Sequence, residues 1–155
     1  MKNVMNLVPV AALALVACGG FTPSQGTWTS TAITVNSDDC AIFGDVETIE
    51  VDMSLSEDEA TMTFDLGDDT TTDCSLENGD FDCTAIVFED ALDELDATLT
   101  ISQTISGSFE DEHNGEVTID ASVSCEGADC EAVATAVELT LPCTSNATAT
   151  MAHAM

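Results

Sequence analysis

The chain has 155 residues, 45% of them apolar, enough to bury one domain-sized core and too many for wholesale disorder. Thirty Asp and Glu stand against a single Lys or Arg, Lys2, giving a formal net charge of −29. This balance excludes a basic surface for nucleic acid or anionic headgroups, and past residue 2 it excludes a Schiff-base lysine, an arginine finger and any side-chain clamp on phosphate.

Residues 1–17 begin with the short basic MKN and continue as an apolar run from Leu7 to Ala17, interrupted by Pro9. The run is too short to cross a bilayer and reads as an export signal. It ends in Leu15-Val16-Ala17-Cys18, which resembles the bacterial lipobox, where a peptidase cuts before the Cys and its thiol receives diacylglycerol. The resemblance implies a cleaved lipoprotein signal peptide over 1–17, a lipid anchor with palmitate-type acyl chains on Cys18, and a membrane as partner. Gly19 in place of Asp after that Cys implies the outer membrane rather than the inner. Cleavage would remove Lys2 and leave a mature chain without Lys or Arg. Residues 18–26 then read as the lipidated Cys and a flexible tether, GGFTPSQG, with a reach on the order of 15 Å.

An acidic β domain is expected over 27–143. A first strand runs from about Thr27 to Val35. Ile49, Val51, Met53 and Leu55 alternate with polar residues, and Ala60, Met62, Phe64 and Leu66 do so across the SEDE turn, the pattern of half-buried strands. In CSLENGDFDC, Asn78-Gly79 is a favoured type I′ hairpin turn. Counting outward pairs Glu77 with Asp80, Leu76 with Phe81, Ser75 with Asp82 and Cys74 with Cys83, the last at a close non-hydrogen-bonded position suited to a disulfide. The second strand of this hairpin is expected to carry its alternation on through Ala85 and Val87. EDALDELD, residues 89–96, reads as a helical turn. Leu99, Ile101 and Ile105, then Val117, Ile119, Ala121 and Val123, mark two further strands; GADCEAVATA, residues 127–136, reads as a short helix; Val137, Leu139 and Leu141 mark a last strand. Residues 144–155, TSNATATMAHAM, offer little to bury and read as a frayed tail.

About eight strands with one apolar face, short polar connections and one helix give an all-β class. A small antiparallel meander barrel is preferred over a two-sheet sandwich, because consecutive hairpins close a meander easily. Gly26-Thr27-Trp28 resembles the GxW opening of lipocalin-type barrels. In that family the Trp packs against an Arg from a late strand, and this chain has no Arg and no TDY block.

With Cys18 set aside, Cys40, Cys74, Cys83, Cys125, Cys130 and Cys143 form an even set in an exported chain, read as three disulfides. Beyond Cys74–Cys83 the connectivity is open. A zinc–thiolate site lacks any CxxC pair and lacks histidines near cysteine pairs.

Carboxylate pairs such as Asp38-Asp39 and Glu110-Asp111 are too abundant to single out a glycosidase, and His113 is the only histidine expected within the folded region, on a loop. No catalytic residue is assigned. Calcium is the one cofactor considered, with Asp68, Asp69 and Asp73 in GDDTTTD, or Asp111 and Glu112, as oxygen donors, though neither segment has EF-hand spacing. Otherwise the carboxylates, on the order of 15 Å apart on a surface of this size, solvate an exported or salt-adapted protein. The expected function is a non-catalytic, lipid-anchored structural or interaction module facing the surface or periplasm. A lipocalin-like carrier of a small apolar ligand is the alternative, which would need a void inside the barrel.

Overall fold

The computed structural model describes residues 21–154 except 45, 47, 68 and 93, and of residue 31 the backbone only. The signal peptide, Cys18 and Gly19 lie outside the described residues.

Nine strands form one antiparallel sheet: β1 (Gly26–Asp38), β2 (Glu50–Leu55), β3 (Thr61–Asp65), β4 (Thr71–Glu77), β5 (Asp80–Cys83), β6 (Ile86–Ala91), β7 (Thr98–Phe109), β8 (Asn114–Glu126) and β9 (Cys143–His153). Each strand of the order β5-β4-β3-β2-β1-β9-β8-β7 bonds to the next, and β5 bonds back to β7, so eight strands close a meander barrel. The barrel, not the sandwich, is the fold. The one helix, α1 (Cys130–Ala136), stands between β8 and β9 with Val133 buried, as GADCEAVATA predicts.

Period-two alternation sets the register. Inward-facing Met53 opposes Phe64, Met62 opposes Cys74, and Leu76 opposes Phe81. The β4–β5 pairing is the one counted from the Asn-Gly turn, down to Cys74 opposite Cys83 with their Cα atoms 3.8 Å apart, and the two are disulfide-bonded. Asn78 and Gly79 both have positive φ, 56° and 91°, as a type I′ turn requires.

Four expectations need correction. First, residues 144–155 are not a frayed tail, because Cys143–His153 is a central strand bonded to β1 on one side and β8 on the other. Its inward residues Ser145, Ala147, Ala149 and Met151 are buried, and all but Met151 are small side chains that give little hydropathy signal. Second, Val137, Leu139 and Leu141 form no strand; they belong to the connection from α1 to β9. Third, the hairpin alternation does not continue through Ala85 and Val87. Asp82 opposes Ser106 but Ile86 opposes Gln103, so one extra residue sits on the β5–β6 side. That bulge flips the parity, and Ile86 and Phe88 take the inner face while Val87 faces out. Fourth, EDALDELD is not helical at its start: Glu89–Ala91 completes β6, and beyond it Leu95 N donates to the Leu92 carbonyl at 2.9 Å in a single turn before β7.

The strands differ in length, and this shapes the two ends. β2, β3 and β4 stop at Glu50, Asp65 and Thr71, whereas β1, β6, β7, β8 and β9 run past them. β1 pairs with β2 only over Gly26–Thr29, then continues along β9 to Asp38. The upper part of the molecule is therefore an incomplete cylinder whose apolar inner face continues the barrel interior.

Candidate functional site

The lower end is filled. Trp28 is fully buried, its indole N–H donates to the Ser24 carbonyl at 2.9 Å, and its ring lies 5.1 Å from that of Phe109. Phe81 packs on both Phe109 and Phe64. Gly107 makes room for it, since a Cβ there would stand 2.6 Å from Phe81 Cζ. His153 of the last strand lies 5.6 Å from the Trp28 ring and 5.6 Å from that of His113. His153 Nε2 lies 3.0 Å from the Gln25 carbonyl, so Nε2 carries the proton and buried Nδ1 is left without a partner. Gly26, at φ +120°, would bring a Cβ to 3.2 Å from that Nε2.

Residues 21–25 lie across this end, so from residue 21 on the expected flexible tether is held on the domain, while residues 18–20 lie outside the described residues. Thr22 Oγ1 donates to Glu59, Ser24 N donates to the Glu112 carbonyl, Leu55 N donates to Gln25 Oε1, and Phe21 would lie 3.4 Å from a Cβ on Gly79. The β2–β3, β4–β5 and β7–β8 turns are thus all tied to the incoming chain.

The upper end is open. A cavity of about 200 Å³ sits in the mouth, lined chiefly by Val51, Phe64, Ile105, Val117, Ile119 and Met151. Ser30 and Gln103 supply polar groups and Glu50 stands at the edge. Ser30 Oγ already accepts from Ile49 N at 2.6 Å. Both histidines lie at the opposite end. Above the cavity the inner face stays apolar: Phe88 opposes Ile101, which opposes Val123, which opposes Cys143. Phe88 is 50% exposed, Ile101 42% and Val35 44%. A larger groove of about 720 Å³ lies outside the barrel between α1 and Glu138–Pro142, but it is shallow and its Glu126, Glu131 and Glu138 converge on nothing. Enclosure, not size, makes the barrel mouth the candidate.

The four cysteines left open by the sequence pair as Cys40–Cys143 and Cys125–Cys130. The first joins the loop after β1 to β9 and forms a small second core with Val123, Leu99 and Leu141; the second ties α1 to the end of β8. Of the calcium candidates, Asp68 lies outside the described residues, Asp69 is in the β3–β4 turn, and Asp73 accepts from Thr63 Oγ1 at 2.7 Å on the sheet. Among the described residues no three His, Cys, Asp or Glu side chains gather as a metal site. Asp111 instead closes the β7–β8 turn, accepting from the backbone N–H groups of His113 and Asn114 and from the Asn114 amide, and these bonds hold its carboxyl below the usual range.

Asp38 is the residue that sequence reasoning passed over. Its carboxylate accepts from Ser145 Oγ and from the N–H groups of Ile42, Phe43 and Gly44, which turns the chain after β1 so that Phe43 joins the main core. The Ser145 bond chiefly, with the backbone bonds, lowers its pKa against the opposing effect of desolvation. An Asp just before a turn is a readable signal, but its partner lies 107 residues away. Comparison of the chain with protein-family models, with curated proteins and with solved structures gives no match.

Proposed function

We propose that the chain is a non-catalytic interaction module, held at the outer membrane by lipid on Cys18, that presents the open end of its barrel to a partner. The observation carrying this reading is the asymmetry of the two ends. Trp28, Phe109, Phe81 and His153 fill one, and the other opens onto apolar side chains that are half exposed. Phe21 lies against the filled end, so an anchor three residues earlier stays within about 10 Å of it and the mouth points away from the bilayer. The mainly apolar lining of the mouth, with both histidines at the opposite end, suits binding rather than chemistry.

The apolar lining favours the alternative of a carrier, but about 200 Å³ falls short of the roughly 300–1,000 Å³ that encloses a whole ligand. It suits one apolar side chain of a partner. Native mass spectrometry of membrane-extracted protein is expected to give residues 18–155 with covalent acyl chains and nothing else bound. A non-covalent ligand of several hundred daltons retained in the barrel would shift the reading to a carrier, and a chain without acyl groups would remove the anchor.

A further inference from the structure

β6 is the end strand of the sheet order: among the described residues it bonds to β7 alone, and β4, which covers the same side of β5, begins only at Thr71. Its sequence is IVFEDA, with Phe88 50% exposed on the inner face and Val87 53% exposed on the outer. An unpaired edge with apolar side chains on both faces is a template for one more strand. Glu89 and Asp90 follow immediately, both exposed.

The charge of the whole chain decides what can occupy this edge. Every one of the thirty carboxylates falls between residues 38 and 138, and no Lys or Arg occurs after residue 2. A second copy would therefore bring a strongly negative molecule against another, with no cation at the contact to relieve the repulsion. Glu89 and Asp90 act in this sense as guards against self-pairing. A partner with Lys or Arg supplies what the chain lacks.

We infer that the free edge of β6 binds an extended Lys- or Arg-containing peptide segment as an added strand, its apolar residues covering Phe88 on the inner face and its cations on the outer face beside Glu89. This rests on the interaction-module reading and names its partner. Main-chain bonds to the edge would supply much of the affinity, and the acidic surface would speed encounter and make it salt-dependent.

The test uses the folded mature domain and a short synthetic peptide of alternating lysine and valine. A second peptide has the same charge but carries prolines that prevent it from adding as a strand. The first is expected to bind at one per chain, to slow hydrogen exchange in residues 86–91, to lose at least about tenfold in affinity with Phe88→Ser, and to lose affinity with Glu89→Gln. Phe88 is half exposed, so its replacement leaves the core intact. Equal binding of the proline peptide would overturn the proposal, since charge alone would then suffice. So would dimerisation of the protein alone with residues 86–91 protected. Protection confined to mouth residues such as Gln103 and Val117 would refute the β6 assignment while leaving the interaction-module reading standing.

Discussion

Removing the disulfides one at a time separates what they do. Cys40–Cys143 and Cys74–Cys83 both join buried cysteines, so replacing either pair by Ala removes the same buried atoms. They differ in the chain they close, with sequence separations of 103 and 9. In the chain-entropy treatment a loop of about ten residues contributes roughly 2.7 kcal/mol and one of about a hundred roughly 4.7 kcal/mol. The two shorter bridges lie inside the long loop but shorten it by a small fraction, and the cost grows only with the logarithm of length. Cys40→Ala/Cys143→Ala should therefore cost about 2 kcal/mol more than Cys74→Ala/Cys83→Ala. Urea unfolding in saline, followed by the fluorescence of the single, fully buried Trp28, measures both. Equal costs, or the reverse order, would refute the reasoning and show that the hairpin bridge does more than close a short loop.

Two further outcomes follow from the same structure. At about 0.01 M salt, melting temperature should rise as pH falls from 7 toward the pI near 4.1, because self-repulsion fades, and should fall again below about 3.8. The carboxyls of Asp38, Asp58 and Asp111 are lowered in the fold by hydrogen bonds, so the stability they give is complete above their unfolded pKa and is lost as pH drops through the folded one. Thermal melts across this range check it, and a melting temperature that keeps rising through pH 3 would contradict it. Gly107→Ala should destabilise the domain by about 1–3 kcal/mol, measured by urea unfolding, because the new methyl would run into the Phe81 ring and the Glu116 carbonyl.

The local chemistry of this chain is written in adjacent residues, and those parts could be read directly. Alternation of period two fixed which residues of β2, β3 and β8 face inward, because the pleat permits no other assignment. Asn78-Gly79 fixed a turn, the turn fixed a register, and the register joined Cys74 to Cys83. The sign of the charge was likewise set by composition alone. What tertiary structure decided depends on residues far apart. Cys143–His153 carries the right alternation, but Ala and Ser give it almost no hydropathy signal; it is a strand because β1 and β8 bond to its two sides. The bulge between Cys83 and Ile86, which turns Phe88 inward, exists only because β7 bonds to both β5 and β6. The partner of Cys40, the bonds of Asp38 and the open mouth all arise where strands of unequal length meet around a closed ring, and no stretch of sequence contains that closure.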